Sequence, residues 1–534
     1  MKAPSALKAR STAQGPETGA TQPMGEPLET ELKLRLPPGV VAAVRRAASL
    51  RAVPSRTARF DAIYLDTPDR LLQNNGMALR LRREGDRWMQ TLKLSAPVQG
   101  GLSARPEWEG PARIRRGEPR FDPSQLQETP LPALLVRHRA QRKLRAAFRT
   151  RFTRTLWQLG FRGSRIEVAL DRGHIEAHRG GRAVRAPISE LELELKAGRA
   201  ADLLALAGRL VGRGAQALAL VPLVRSKAER GYRLAEGAEP AVTKASARGF
   251  VEQLRADLSS AAALRAIMAH GLHVLLANTE ELRVSRDPEF VHQARVSLRR
   301  MRSALRLFDR RHADFPAALS SELRWIGRSL GKARDADVFE SSSLPALLAD
   351  LPQGLRPQAR GLRRRARRHR GQAYRAVLAD LGSARFARLA LGLQAWTLTP
   401  PPKGRSLQRF APRALARAQA RLFEAARFFA ALTPERRHRV RILAKRLRYA
   451  LDALSVTLPQ GATGIYVNKL SELQDVLGEL NDAAVAFQHL GQLEGSSVLV
   501  DELRRRFEPR EQTLAMDAER RLLELSDMPS PWVT

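Results

Sequence analysis

The chain has 534 residues, a formal net charge of +38, 5% aromatic residues and no cysteine. That length allows two or three domains with full cores, and the charge makes a polyanion the first partner to expect. The missing thiols exclude disulfides, thiolate metal sites and a cysteine nucleophile, and the scarcity of aromatics disfavours base-stacking capture of single-stranded nucleic acid.

No uninterrupted apolar run approaches the roughly 20 residues that cross a bilayer, and the N-terminus lacks the apolar core of a signal peptide. The expectation is a cytoplasmic protein with no membrane partner. Residues 1–25 are rich in Ala, Pro, Ser, Thr and Gly without hydrophobic periodicity and read as a disordered tail, with Met24 an alternative start.

From residue 26 to 236 the signal is mainly of period two. Leu28, Thr30, Leu32, Leu34 and Leu36 alternate with Glu29, Glu31, Lys33 and Arg35; Leu79 and Leu81 with Arg80 and Arg82; Leu191, Leu193 and Leu195 with Glu190, Glu192, Glu194 and Lys196. Leu92 and Leu94 flank Lys93, and Trp108 separates Glu107 from Glu109. Helical patterns near 39–50 and 199–212 interrupt the strands, so this half is predicted to be α+β on an antiparallel sheet. Several strands carry charges of both signs on one face. A sheet closed with those faces inward would form a tunnel lined by cations and carboxylates, for which a charged guest would compensate the desolvation. Alternation alone does not establish that closure.

Residues 237–245 have linker composition. Beyond them the period becomes 3.6, and residues 246–525 are predicted to be a helical bundle, followed by a short tail at 526–534. On one helix, His292, Arg295, Arg299, Arg302 and Arg306 share a narrow sector opposite Val291, Ala294, Leu298, Met301 and Leu305. The spacing returns in His438, Arg441, Lys445 and Arg448. Leu330-Gly331 with Arg334-Asp335, and Leu477-Gly478 with Asn481-Asp482, follow the two copies in the same order. This is an internal duplication, with halves at about 246–395 and 405–525 separated by Leu398-Thr-Pro-Pro-Pro-Lys-Gly404. An ordinary solvated helix face mixes signs; these two faces are nearly pure cation, which suits anion binding. In the second copy Asp452 stands where the first has Arg306. Arg363 to Arg370 is a further basic run, equally compatible with a plain exposed helix face and with extra binding surface.

Glu29-Thr-Glu31-Leu-Lys33, Tyr64-Leu-Asp-Thr-Pro-Asp69, Leu79-Arg-Leu-Arg82 and Ser226-Lys-Ala-Glu-Arg-Gly-Tyr232 resemble, in order, the CYTH family of triphosphate tunnel metalloenzymes. The region after 245 resembles the CHAD family of helical polyphosphate-binding domains, the likeness carried by the repeats at His292 and His438. The resemblance implies an eight-stranded antiparallel tunnel that hydrolyses inorganic triphosphate with Mg²⁺ or Mn²⁺. It assigns Glu29, Glu31, Glu192 and Glu194 to the metal, with Glu107, Glu109 and Asp171 as further contributors. It assigns Lys33, Arg80, Arg82, Lys93, Arg149 and Arg151 to the phosphates, Arg154 being an alternative to the last two. Glu29, Glu31, Lys33 and Lys93 would form the catalytic core.

The same resemblance implies inorganic polyphosphate as the ligand of the helical half, with an association with polyphosphate granules as a corollary. Three other readings remain: the same tunnel acting on thiamine triphosphate or nucleoside triphosphates, a non-enzymatic granule scaffold, and a nucleic-acid binder, the last disfavoured. Aromatic-poor tunnel strands would favour a substrate without a base. The histidines are expected to have hydrogen-bonding or structural roles, because surrounding cations lower their pKa.

Overall fold

A computed structural model describes residues 28–96, 100–252, 254–308, 314–349, 351–494 and 497–532. The expected N-terminal tail lies outside them. The strands are β1 (Leu28–Arg35), β2 (Ser55–Asp66), β3 (Met77–Glu84), β4 (Arg87–Leu94), β5 (Leu102–Pro111), β6 (Arg113–Arg115), β7 (Glu118–Arg120), β8 (Arg145–Phe161), β9 (Ser164–Arg179), β10 (Arg182–Ala197) and β11 (Val221–Pro222). Eight of them pair antiparallel in the order β10-β9-β8-β2-β3-β4-β5-β1, and β1 pairs again with β10. The sheet is therefore a closed antiparallel barrel. β11 adds to β1, and β6–β7 form a separate hairpin.

The alternation seen in the sequence sets the two faces of this barrel. Leu32 and Leu34 of β1 and Leu191 and Leu193 of β10 are fully buried on the outside, in one cluster with Leu203, Leu206, Leu210 and Val211 of helix Ala200–Val211. Each such leucine contributes about 1.5–3 kcal/mol by leaving water, so the apolar face is held outward and the charged face turns in.

Helix Lys227–Glu236 packs on β8, β9 and β10 and closes one end of the barrel. Its start is fixed by a reciprocal cap: Ser226 Oγ accepts from the Glu229 N–H at 3.1 Å, and the Glu229 carboxylate accepts from the Ser226 N–H at 2.7 Å. Gly231 is required here, because a Cβ would enter the ring of Phe148.

The helical half is duplicated in space as in sequence. Helices Ser260–Glu281, Pro288–Leu307, Ala317–Val338 and Arg356–Leu381 recur as Leu407–Ala425, Pro434–Leu454, Gln460–Glu494 and Val498–Asp527. The first helices of the halves start side by side: the Ser260 N–H donates to the Arg405 carbonyl (2.9 Å) and the Leu407 N–H to the Leu258 carbonyl (2.8 Å). Helix Ser260–Glu281, although interrupted by Arg265, His270 and His273, is long and apolar enough to cross a membrane by length and composition, but 78% of its apolar window is buried inside the protein, as in a core helix. On helix Arg356–Leu381 the basic run exposes Arg363, Arg364, Arg367 and Arg368, while Arg370 pairs with Asp337 at 2.5 Å.

Two segments expected to be loose are docked. Asn278 accepts from the Thr243 N–H and donates to the Thr243 carbonyl, and Ala245 is buried, so the 237–245 segment is a strap on the helical half. Trp532, placed by sequence in a tail, is buried edge-on against Tyr466. The halves also share a core, since helix Ala384–Leu398 packs on helix Ala200–Val211. Arg225 and Arg233, flanking the barrel-closing helix and on it, pair with Glu281 of the helical half at 2.5 and 2.9 Å.

Candidate functional site

The charged inner face of the barrel encloses a cavity of about 300 Å³. Among the described residues eight carboxylates and eight cations line it. Register explains their interleaving. Glu29 faces Arg105 across β1–β5, Lys93 faces Glu107 across β4–β5, and Lys33 faces Glu192 and Glu31 faces Glu194 across β1–β10. Opposite charges thus meet across β1–β5, across β4–β5 and at Lys33–Glu192, whereas Glu31 and Glu194 are a like-charged pair.

Each cation is held by a neighbouring carboxylate. Lys93 Nζ lies 2.6 Å from Glu29 and 2.9 Å from Glu107; Arg105 bridges Glu29 (3.2 Å) and Glu31; Arg82 reaches Glu109 at 2.7 Å; Arg80 lies 3.5 Å from Glu107. Burial works to raise the Glu31 carboxyl, but Lys33 and Arg105 outweigh it and hold it below its ordinary range. Glu107 is lowered in the same way, against burial, by Lys93 and Arg80. Glu194 differs. Burial raises it despite Lys196, and Glu29 and Glu167 add to the rise, so this end of the wall has a local surplus of negative charge. Glu167 stands opposite Glu194 in the β9–β10 register.

Beneath the cavity, carboxylate oxygens of Asp171, Glu190 and Glu192 lie within 4.8 Å of one another, a spacing that could hold a metal ion. The Lys227 ammonium, delivered by the barrel-closing helix, lies among them at 2.7 Å from Asp171 and 2.9 Å from Glu192, and also contacts Glu190. Arg154 adds bonds to Asp171 (2.6 Å) and Glu192 (2.5 Å). Burial would depress Lys227, yet Asp171, Glu190 and Glu192 raise it, so it is a fixed cation.

The structure brings together Glu29, Glu31, Lys33, Arg80, Arg82, Lys93, Glu107, Glu109, Glu192 and Glu194 on one wall, with Asp171 below them. It turns Arg149 and Arg151 away. On β8 the inward positions are Thr150, Phe152, Arg154 and Leu156, so Arg149 points outward onto Asp61, and Arg151 is a half-exposed neighbour of Asp61 and Glu176. Arg154 has the inward place. Aromatic residues are also present where few were expected: Phe60, Tyr64 and Phe152 line the cavity, with Phe60 stacked on Phe152 at 5.5 Å. Sequence reasoning placed Arg105 and Lys196 among the same-face charges of their strands without a specific assignment, and gave none to Glu167 or Lys227. The available signal was parity with Glu107 for Arg105, parity with Asp171 for Glu167, parity with Glu194 for Lys196, and for Lys227 its place one residue after a capping serine.

In the helical half, the two repeat helices Pro288–Leu307 and Pro434–Leu454 pack against each other. Arg295, Arg299, Arg441 and Lys445 meet there. Arg295 lies 3.8 Å from Asp335 and Arg441 lies 3.9 Å from Asp482, equivalent pairs in the two copies. Burial first, then Arg441 and Arg299, pulls Lys445 down to about 7. Burial and Arg334, followed by Arg299 and Arg295, pull His292 down to about 4. The buried Nε atoms of Arg299 and Arg441 have no hydrogen-bond acceptor among the described residues. His438 Nδ1 lies 2.5 Å from Asn481 Oδ1. Arg302 and Arg306 extend the cluster along the first helix. Arg448 does not extend it along the second: Asp452 (3.2 Å) and Ser471 engage its guanidinium. The two copies are therefore unequal, as Asp452 foretold.

Residues 27–213 match the CYTH domain family and residues 266–491 the CHAD domain family. An inorganic triphosphatase of Haemophilus influenzae is 33% identical over 181 residues, which are 33% of this chain and 47% of the relative; the match thus spans about half of that protein. The crystal structure of the CHAD domain from the plant Ricinus communis is 31% identical with a TM-score of 0.47, over 55% of this chain and 98% of that one. PptA from Streptomyces chartreusis is 20% identical with a TM-score of 0.36, over 50% of this chain and 95% of that one. The chain is an N-terminal CYTH domain joined to a C-terminal CHAD domain.

Proposed function

We propose that the tunnel hydrolyses inorganic triphosphate with a divalent metal ion and that the helical half binds inorganic polyphosphate. The observation that carries the first reading is the balance of the tunnel wall, eight carboxylates against eight cations. A wall built only to hold a polyanion would gain nothing from the carboxylates. A balanced wall accepts a highly charged phosphate chain only if that chain brings cations of its own.

The residues fit such an ion. Glu29, Glu31, Glu192 and Glu194, with Glu167 beside them, offer oxygen donors alone, and the surplus charge at Glu194 is what a hard cation would neutralise. When bound, Mg²⁺ or Mn²⁺ would supply Lewis-acid polarisation of phosphate oxygens. The chain's own part follows from its geometry. Lys33, Arg80, Arg82, Lys93, Arg105 and Arg154 exchange their carboxylate partners for phosphate oxygens and stabilise the charge that builds on the leaving phosphate. The carboxylates so released orient the attacking water. No side-chain nucleophile is needed.

A nucleoside triphosphate reading draws on the Phe60–Phe152 stack. Those rings are already covered, Arg154 lying 5.5 Å from both and Arg82 5.7 Å from Phe60, which leaves no ring face for a base. Thiamine triphosphate meets the same obstacle. Phosphate release from inorganic triphosphate, thiamine triphosphate and ATP, each with Mg²⁺, Mn²⁺ or EDTA, tests the reading. Release from inorganic triphosphate that EDTA does not abolish would refute the metal, and a faster rate on either organic substrate would refute the substrate.

The polyphosphate reading draws on Arg295, Arg299, Arg441 and Lys445. They concentrate like charges in a half-buried seam between the repeats, with the Nε atoms of Arg299 and Arg441 left without acceptors among the described residues.

A further inference from the structure

One offset carries His292 onto His438, Arg300 onto Arg446, and Arg306 onto Asp452. The environments of Arg300 and Arg446 should therefore be twins, and they are not. Around Arg300 the chain has filled its own groove. Arg300 pairs with Asp452 at 2.9 Å, donates to the Ala245 carbonyl at 3.0 Å and lies over the Phe250 ring, and the short helix Ala247–Val251 packs on both long helices there. Around Arg446 the equivalent space, between helices Leu407–Ala425 and Pro288–Leu307, is an open groove of about 1010 Å³.

The wall of that groove is a ladder. Arg409, Arg413, Arg417 and Arg421 stand four residues apart on one face of their helix, a rise of about 6 Å per step and about 18 Å in all. All four are exposed, and none forms an ion pair with a described carboxylate. Arg446 faces them, its buried Nε without an acceptor among the described residues. Where the twin has Asp452, this groove has Arg306, and no carboxylate lines it among the described residues. Burial first, then Arg306 and Arg302, draws Arg446 down to about 10. Arg306 of the groove stands on the same helix, Pro288–Leu307, as Arg295 and Arg299 of the central seam, with Arg302 between them one turn from Arg306, so one helix carries cations from the seam to the groove.

We propose that this groove is the outer track of a polyphosphate chain whose first stretch lies on the central seam, so that the helical half favours long chains over short ones. The proposal rests on the polyphosphate reading above. A ladder of this reach suits a ligand charged along its whole length. Phe308 and Phe410, on the groove floor, stack on each other at 5.2 Å and thereby present no paired slot for a base. The twin groove, closed by the strap, offers no second track, which gives the chain one direction of exit.

The test uses the full-length protein and inorganic polyphosphate of about ten and of about a hundred phosphates, a contrast that separates one seam from seam plus track. R413Q, R417Q and R421Q are combined; all three side chains are exposed, so folding should survive. Affinity for the long chain should fall roughly 10- to 100-fold and its log–log salt slope should shrink by about two to three. Affinity for the short chain should stay within about twofold. An unchanged long-chain affinity and salt slope would overturn the track. If R295Q/R299Q abolishes binding of both lengths while the ladder variant binds like the parent, the track falls and the seam stands. If the parent binds neither length, the polyphosphate reading falls and takes the track with it. Loss of single-stranded RNA binding at unchanged polyphosphate affinity would also overturn the track.

Discussion

Polyphosphate affinity should depend on pH through Lys445. Burial, Arg441, Arg299 and Arg295 lower this ammonium and Asp482 opposes them, leaving it at about 7. A polyanion in the seam stabilises the charged form, so binding takes up a proton wherever free Lys445 is neutral. The sign follows. Below about pH 7 the free side chain is already charged and affinity is flat; above it affinity falls, approaching tenfold per unit. If the bound form regains an ordinary lysine pKa, affinity at about pH 6 should exceed that at about pH 8.5 by roughly thirtyfold. His292, held at about 4, adds a factor of about four at most over that window. Isothermal titration with long-chain polyphosphate at constant ionic strength measures both the affinity and, from buffers of different ionisation enthalpy, the proton uptake. Lys445→Arg keeps the charge at every pH and should reduce the ratio to about fivefold or less. An equal pH dependence in parent and Lys445→Arg would show that the seam does not hold the chain at Lys445.

Glu31→Gln preserves shape but removes a carboxylate that contacts Lys33 and Arg105; phosphate release should fall by at least about 100-fold, and parental rates at saturating Mg²⁺ and Mn²⁺ would refute its role. Arg154→Gln should lower kcat/KM for triphosphate roughly 30- to 100-fold, as expected for one lost charge-assisted contact, whereas Arg149→Gln should change it less than about twofold; the reverse order would refute the assignment of the inner face of β8. Glu281→Gln leaves Arg225 and Arg233 without their shared buried partner and should cost about 2–3 kcal/mol in urea unfolding; an unaltered midpoint would show that these ion pairs contribute nothing to joining the halves.

The legible part of this protein was the part governed by short-range periodicity. Strand β1 could be read residue by residue because one face is Leu28, Thr30, Leu32 and Leu34 and the other is all charge, and the same alternation of leucine and charge held for Glu190 to Lys196 of β10. Closure could not be read, because it depends on β1 finding β10 across more than 150 residues, and alternation is identical in an open sheet. The error at Arg149 and Arg151 has a definite origin. β8 carries arginines on both faces, so composition does not say which face is inside; the choice is made by neighbours, Phe60 and Ala62 of β2 meeting Phe152 and Thr150 in register. Lys227 was visible as part of a motif but its position among three carboxylates is tertiary, set by a helix that returns to the barrel after β11.

The duplication shows the same division at larger scale. Sequence located both repeats and the Arg306/Asp452 difference between them, yet that single sign change acquires meaning only in three dimensions. Asp452 forms an ion pair with Arg300 beneath the strap, and its absence from the other copy leaves Arg446 facing a ladder of arginines across an open groove. Of the two copies, one is closed over its groove by the chain itself and the other is not. The strap that closes the first half runs on directly from the helix carrying Lys227, so the asymmetry of the helical half and the floor of the tunnel are linked along the chain by helix Lys227–Glu236 and the strap that follows it.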